Sequence, residues 1–162
     1  MEKLLKNIYK NKKLTRIFKL ISDLAVFSSV LGFGILLYAA FSESAAVVFG
    51  VLVTLGAPFV AVTLIRRFIN CKRPYEIYDF YEAKPKEKSG KSFPSRHAYS
   101  SFVISVLVCF IYPTAGSVLV FLSILMCFLR VLLGIHFIRD VLCGAFIGAL
   151  SAILGNYIFA LF

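Results

Sequence analysis

The stretch Arg130-Val-Leu-Leu-Gly-Ile-His136-Phe-Ile-Arg139-Asp140 lies between two long apolar runs. A charged side chain at the centre of a bilayer costs roughly 2.5–3.5 kcal/mol on insertion scales, so charges beside such runs indicate a functional site. If His136 and Asp140 share a helix, their i, i+4 spacing places them on one face, where the carboxylate can hold one imidazole nitrogen. The other nitrogen is then free to act as a nucleophile, and Arg130 is near enough in sequence to neutralise an anion beside it.

The composition of the chain is that of an integral membrane protein. Hydrophobic residues make up 60% of the 162 residues, and the mean hydropathy is +0.87. An ordinary soluble domain does not have this composition. The length allows one domain, so residues 1–162 are expected to form a single membrane-embedded unit. The net charge of +10 fits an anionic membrane surface or a phosphorylated substrate, and the apolar runs argue against a nucleic-acid partner.

Five apolar runs predict an all-α integral membrane bundle with about five transmembrane helices. The first run alone corresponds to about 33 Å of helix, enough to cross the hydrocarbon core. In the last run, small residues recur every fourth position at Gly144, Gly148 and Ala152, which predicts close helix packing. The five runs are residues 20–41, 45–65, 94–112, 115–133 and 140–162.

Residues 1–19 form a basic leader with seven lysines or arginines separated by apolar residues. We consider two structures for it: a basic amphipathic helix on the membrane surface, or a frayed basic tail that only sets orientation. Asp23 lies one turn inside the first span. It is expected to reach the lipid headgroups or pair with Lys19, and the alternative is contact with a functional site.

Residues 66–93 form the only long polar segment, and loops of this length are typically functional. The lysines in its second half predict a solvated basic hairpin or a flexible lid. Proline is favoured in the first turn of a helix, so Pro94 is predicted to start the third span. The amides of Ser95, Arg96 and His97 would then point outwards at the positive end of that helix, where they suit a phosphate.

The distribution of charge predicts the orientation of the bundle. With five spans, all 18 lysines and arginines fall on one face, and Glu43 is the only charge on the other. Positive residues in short loops mark the cytoplasmic side. The site is therefore predicted to open to the cytoplasm, in a multi-pass protein of the cell membrane.

The charged residues beside the apolar runs gather at this one end of the bundle. Arginines, helix-terminal amides and two histidines at one depth suit a tetrahedral oxyanion. Without a carboxylate cluster, neither a divalent cation nor another cofactor is expected, because guanidinium groups can neutralise the anion. The four cysteines occur singly, so a disulfide or zinc site is not expected either. The gathered residues are Arg66, Arg73, Ser95, Arg96, His97, Arg130, His136 and Asp140.

Their spacing resembles that of the type-2 phosphatidic acid phosphatase family, which also includes bacterial acid phosphatases and vanadium haloperoxidases. That family shows the patterns K-x(6)-R-P, P-S-G-H and S-R-x(5)-H-x(3)-D. The resemblance covers residues 66–140, in the order of the family. The matching segments are Arg66-x(6)-Arg73-Pro74, Pro94-Ser95-Arg96-His97 and Arg130-x(5)-His136-x(3)-Asp140.

The resemblance implies a helical membrane enzyme and a role for each matching residue. His136 would attack phosphorus and form a phosphohistidine, while Asp140 orients it. His97 would protonate the leaving lipid oxygen and then activate water. The residues that would bind the phosphate are Arg66, Arg73, Ser95, Arg96 and Arg130.

Three positions depart from the family patterns. Arg66 replaces a lysine, so a planar fork stands where a point charge is usual. Arg96 replaces a glycine; it would be strained if the position needs a positive φ, and its guanidinium extends toward the substrate or an anionic lipid. Leu129 replaces a serine and removes one hydroxyl. These changes bear more on substrate preference and rate than on reaction type.

The sequence therefore favours a membrane phosphatase that acts on a lipid phosphomonoester or diphosphate. Substrates made on the cytoplasmic leaflet include phosphatidate, phosphatidylglycerol phosphate and polyprenyl diphosphates. Two alternatives stay open: a non-catalytic protein that binds or translocates phospholipid, and a lipid phosphotransferase with the same phosphohistidine. The oligomeric state does not follow from the sequence.

Overall fold

The computed structural model describes residues 2–78, 80 and 90–162. Within these ranges the chain forms helices and no strand, which confirms the all-α prediction. The predicted lysine-rich hairpin or lid lies largely outside the described residues. The helices are α1 (Glu2–Lys10), α2 (Lys12–Glu43), α3 (Ala45–Ile69), α4 (Pro74–Ile77), α5 (Arg96–Ile111), α6 (Pro113–Leu132) and α7 (Ile138–Phe159).

Four of these helices, α2, α3, α6 and α7, are long and apolar enough to cross a membrane. The remaining predicted span corresponds to α5, which is apolar but has only 16 residues. Large apolar side chains such as Phe121 and Phe146 point away from the bundle and remain exposed, as contact with lipid requires. The chain is thus a multi-pass membrane protein.

Helix α5 lies at the centre of the bundle and packs most extensively against α7. The stripe of small residues on α7 makes this approach possible. A Cβ atom at Gly144 would collide with the carbonyl oxygen of Ser95, and one at Gly148 would collide with that of Tyr99. Ala152 on the same stripe is fully buried. The predicted close packing of this helix is confirmed.

Buried serine pairs fix the position of α5 against two other helices. Ser29 of α2 and Ser101 of α5 share a hydrogen bond of 2.8 Å between their hydroxyl oxygens. Ser105 of α5 and Ser123 of α6 share one of 3.0 Å. Hydrogen bonds of this kind stabilise helix pairs in lipid, where apolar contact alone gives little directional preference.

The basic leader is helical, as the first of its two predicted structures requires, but it does not form one separate helix. Residues 12–19 belong to the long helix α2, whose N-cap is Asn11, and only α1 is separate. The predicted helix is therefore present, but its apolar side lies against protein. Leu5 is fully buried in a cluster with Tyr75 and Phe80, and the Tyr9 hydroxyl donates a 3.0 Å hydrogen bond to the carbonyl oxygen of Leu133.

The loop between α6 and α7, residues 133–137, is held closely by this cluster. Gly134 has a φ of +62°, a conformation that favours glycine. A Cβ atom there would also collide with the ring of Phe80. The contacts of α1 and Phe80 therefore extend to within two residues of His136.

Two predicted helix boundaries at prolines are wrong. Pro94 precedes α5 and does not start it, because the Ser95 hydroxyl caps the helix by accepting a hydrogen bond from Ala98 N–H at 3.4 Å. The fourth span was predicted to begin at residue 115, yet α6 begins at Pro113. A proline in the first turn of a helix needs no hydrogen-bond partner for its nitrogen, so the placement of Pro113 satisfies the backbone.

Candidate active site

Three segments distant in sequence meet at one end of the bundle. His97, in the first turn of α5, interacts electrostatically with Arg130, His136 and Arg66. His136 in turn interacts with Arg73. The structure therefore brings together the two histidines and three arginines singled out by their spacing.

His136 and Asp140 contact each other without sharing a helix. His136 precedes α7, and Phe137 is the N-cap of that helix. The Asp140 carboxylate Oδ2 accepts a hydrogen bond from Phe137 N–H at 3.0 Å and lies 3.5 Å from His136 Nδ1. The assumption of a common helix was therefore wrong, although the contact it predicted is present. The carboxylate is favourably placed at the positive end of α7.

Ser92 completes this arrangement and was not identified from the sequence. Its hydroxyl is fully buried, donates a short hydrogen bond to Asp140 Oδ2 and lies 3.3 Å from His136 Nδ1. Because the Ser92 proton is given to the carboxylate, its oxygen is free to accept a proton from Nδ1–H. The imidazole then carries its proton on Nδ1, and the lone pair of Nε2 is available.

The pKa of His136 is lowered to about 4, chiefly because the side chain is buried and a charged imidazolium would lose its hydration. Its hydrogen bond to Asp140 acts in the opposite direction, and nearby arginines lower the pKa further. Since this pKa lies well below neutrality, the unliganded imidazole is uncharged at physiological pH. An uncharged imidazole is the form that can act as a nucleophile.

Each of the three arginines has a different hydrogen-bonding environment. Arg66 is buried and donates through Nη1 to the carbonyl oxygens of Ser92, at 3.2 Å, and Pro94. Arg73 donates to the carbonyl oxygen of Gly90 at 3.2 Å. Arg130 is also buried, and its Nε has no hydrogen-bond partner among the described residues. A buried guanidinium with an unused donor fits an anion site.

The residues at the start of α5 differ in their availability to a ligand. The amide of Ser95 donates to the carbonyl oxygen of Asp140 at 2.9 Å, so the expectation that this amide is free was wrong. His97 and Arg96 are both exposed. The guanidinium carbon of Arg96 lies 5.8 Å from the ring centroid of Phe59. This residue does not adopt a positive φ, so it introduces no backbone strain.

His97 and Arg96 open onto a groove of about 440 Å³ between α2, α3 and α5. The groove lies beside the membrane-facing part of the bundle and is lined mainly by apolar side chains and serines. Its size and lining suit an apolar chain with a polar end. The lining residues are Val26, Ser29, Val30, Phe33, Phe59, Arg96, His97, Ser100, Ser101 and Ile104.

Asp23 is exposed and lies near enough to Arg130 to interact with it electrostatically. This interaction is not a direct contact, so the choice for Asp23 between the lipid headgroups, Lys19 and the site stays a prediction. The part of the chain that the structure describes holds no group of three or more His, Cys, Asp and Glu side chains placed to bind a metal ion. All four cysteines are free thiols.

A sequence model of the PAP2 superfamily matches residues 45–161, a segment that contains all three spaced motifs. The chain belongs to the PAP2 superfamily. The resemblance inferred from those motifs is thereby confirmed, although no curated protein matches the sequence.

Two solved structures share the fold of this PAP2 chain. One is LpxE of Aquifex aeolicus, with 22% sequence identity, a TM-score of 0.64, and coverage of 91% of this chain and 94% of that one. The other is described as the first transmembrane PAP2-type phosphatidylglycerolphosphate phosphatase, from Bacillus subtilis. It has 23% identity, a TM-score of 0.68, and coverage of 95% and 83%. At these identities the likeness concerns the fold.

The three departures from the PAP2 patterns have different structural settings. Arg66 uses one end of its guanidinium to hold the backbone of residues 92–94, which is the segment that carries Ser92. Arg96 extends over Phe59 at the groove. Leu129 is buried within α6 and packs in the interior. Of the three, Arg96 is the one whose side chain is open to a ligand.

Proposed function

We propose that this PAP2 protein is a membrane-bound phosphatase that hydrolyses the phosphomonoester or diphosphate of a lipid through a phosphohistidine intermediate. Residues 1–162 act as one phosphatase domain. The observation that carries the proposal is the state of His136. Its Nδ1 faces Ser92 Oγ at 3.3 Å and Asp140 Oδ2 at 3.5 Å, and Nε of the nearby Arg130 has no hydrogen-bond partner among the described residues.

In the first step, Nε2 of His136 attacks phosphorus as the bond to the lipid oxygen breaks. The positive charge that develops on the imidazole is stabilised by Asp140 through Nδ1 and Ser92. A bound phosphate places negative charge beside His97 and so favours its imidazolium form. His97 then donates its proton to the departing oxygen, and the lipid leaves as a neutral alcohol or, from a diphosphate, as a monophosphate.

In the second step, the now neutral His97 takes a proton from water. The water oxygen attacks phosphorus, the bond to Nε2 breaks, and inorganic phosphate is released. His136 returns to its starting form, and His97 again carries the proton it needs for the next first step. Arg66, Arg73 and Arg130 hold the phosphoryl oxygens through both steps and neutralise the charge that builds up on them. Guanidinium groups supply this charge without a metal ion.

The groove beside His97 supports a lipid as the substrate. An apolar chain in the groove places its phosphate at the arginines and its leaving oxygen near His97. Phosphatidate, phosphatidylglycerol phosphate and polyprenyl diphosphates all have this shape. The Bacillus subtilis protein of similar fold is a phosphatidylglycerolphosphate phosphatase, which supports phosphatidylglycerol phosphate as a candidate substrate.

The direct test is phosphate release by the purified protein in neutral detergent micelles from these three lipids. We expect release from at least one of them in the presence of a chelator. Binding of the lipids without release would favour the non-catalytic alternative. Transfer of the phosphoryl group to an added alcohol in preference to water would favour the phosphotransferase.

Ser92→Ala is predicted to lower kcat about tenfold with little change in KM, because a lost hydrogen bond of about 1 kcal/mol or slightly more corresponds to such a factor. Ser92 does not reach the substrate in this proposal; it positions His136. Steady-state phosphate release measures both parameters. Ser117→Ala serves as the matched control, since that serine donates a hydrogen bond to the carbonyl oxygen of Pro113 at the opposite end of the bundle. An unchanged kcat for Ser92→Ala would remove Ser92 from the mechanism.

The proposed location is the cell membrane, with the site open to the cytoplasm. Cys71 reports the side of the membrane, because it follows α3 at the site end and is partly exposed. In a variant with the other three cysteines replaced by alanine, a membrane-impermeant maleimide is expected to label Cys71 only after the cells are permeabilised. Equal labelling in intact cells would place the site on the outer face.

A further inference from the structure

Arg96 lies next to His97 in the first turn of α5 and lines the same groove. Its guanidinium lies over the ring of Phe59, on the wall of the groove. It is exposed, whereas Arg66 and Arg130 are buried. Electrostatic interactions link it to both Arg66 and His97, so it lies close to the reacting centre without entering the buried pocket.

The charge of Arg96 has no counterion in the described part of the chain. No carboxylate there lies within 4.0 Å of it, and its guanidinium carbon lies 5.8 Å from the ring centroid of Phe59. The rest of the groove offers it only apolar side chains, hydroxyls and the imidazole of His97. A guanidinium held against an aromatic ring is oriented, and it keeps its N–H donors available for an anion.

The position of Arg96 beside His97 indicates that it would contact the leaving group of a bound lipid. On the proposed mechanism, His97 faces the leaving oxygen, so the groove beyond it receives the leaving group. Because Arg96 lines the groove beside His97, the atoms next to the leaving oxygen would lie near Arg96. A substrate with an uncharged ester at that point leaves the guanidinium unpaired, whereas a substrate with a second phosphate provides its counterion.

We propose that Arg96 forms a second anion subsite, which selects lipids that carry a further phosphate between the scissile phosphate and the apolar chain. The inference rests on the proposed phosphatase function. The chemistry is shared by two substrate types. In a polyprenyl diphosphate the second phosphate is directly bonded to the first, and in phosphatidylglycerol phosphate a glycerol separates them.

The test compares kcat/KM for three lipids in neutral detergent micelles: dioleoyl phosphatidate, dioleoyl phosphatidylglycerol phosphate and a polyprenyl diphosphate. The variants are Arg96→Gln, which removes the charge, and Arg96→Gly, which introduces the residue usual in the family. Arg96→Lys retains the charge without the fork. Arg67→Gln is the matched control, since Arg67 is an exposed arginine at the same end of the bundle with no role in the proposed mechanism. Thermal unfolding of each variant verifies that it is folded.

We expect Arg96→Gln and Arg96→Gly to lower kcat/KM about tenfold or more for a lipid with two phosphates, mainly through KM, because a charge-assisted hydrogen bond is lost. The loss on phosphatidate should be no more than about twofold. If kcat/KM falls with the polyprenyl diphosphate alone, the subsite accepts a second phosphate bonded directly to the first. If it falls with phosphatidylglycerol phosphate alone, the subsite accepts a second phosphate separated by a glycerol. Arg96→Lys should retain part of the preference, and Arg67→Gln all of it.

An equal fall in kcat/KM of the Arg96 variants on all three lipids, or no fall on any of them, would contradict the proposed subsite. A loss seen in anionic vesicles but absent in neutral micelles would assign Arg96 to membrane lipid and likewise overturn it. If the wild-type protein hydrolyses none of the three lipids, the phosphatase proposal itself fails. That result is distinct from an active enzyme without a preference.

Discussion

The His136→Ala variant is expected to lose phosphate release from every lipid substrate by roughly 10⁴-fold or more, as is found when a covalent nucleophile is removed. No other group in the proposed mechanism can take its place. The lone pair of Nε2 is the nucleophile, and alanine offers none. Release of inorganic phosphate in micelles measures the steady-state rate, and incorporation of ³²P from labelled substrate measures the covalent intermediate.

The loss in His136→Ala has to be separated from unfolding. His136 is only 2% exposed, so its removal leaves a small cavity beside the active-site loop. The hydrogen bonds from Ser92 and Phe137 N–H to Asp140 are independent of the imidazole and should persist. Thermal unfolding in detergent and retained binding of a lipid phosphate would show an intact but inactive protein. A folded variant that still turns over at more than a few per cent of the wild-type rate would contradict the nucleophile assignment.

The His97→Ala variant is predicted to separate the two chemical steps. With a natural lipid alcohol as leaving group, both steps need His97, and the rate should fall by about 10²–10⁴-fold. With an aryl phosphate, whose leaving group needs no proton, the first step should still proceed. The second step lacks its base, so phosphoenzyme should accumulate. Rapid-quench measurement of protein-bound ³²P would detect it.

Two outcomes test the role of His97. The trapped phosphate should be acid-labile and stable in alkali, as a phosphoramidate is, and the double variant with His136→Ala should hold none. If His97→Ala retains the wild-type rate on lipid substrates, its acid–base role is wrong. If the aryl phosphate yields no bound label while the rate has fallen, His97 acts before the covalent step only.

The sequence predicted the features of the fold that depend on local pattern. Long apolar runs are sufficient to predict the spanning helices because a bilayer leaves few other ways to satisfy the backbone. Gly144 and Gly148 predicted a close helix contact because small residues four positions apart lie on one face of a helix. The positions of the charged residues at the ends of these runs then placed the histidines and arginines at one end of the bundle.

What the sequence did not predict depends on contacts between distant segments. Ser92 bridges His136 and Asp140 from 44 and 48 residues away, and nothing but its nearness to Pro94 and Ser95 marks it in the sequence. The docking of α1 depends on the contact of Leu5 with Tyr75 and Phe80. The spacing of apolar residues along a single helix does not predict such a contact between distant segments. The contact between His136 and Asp140 was predicted on a wrong local structure, because an aspartate in the first turn of a helix can cap it and still reach back to the residue before the N-cap.

The length of α5 bears on how a substrate reaches the site. Its 16 residues rise about 24 Å, several ångströms less than a typical hydrocarbon core of about 30 Å. Longer helices surround α5, so the protein and not the lipid accommodates this shortfall. A shortfall at the site end recesses His97 below the plane of the lipid phosphates. The turnover of a membrane-embedded substrate should then rise as the host acyl chains are shortened, because a thinner bilayer brings its phosphate plane closer to α5.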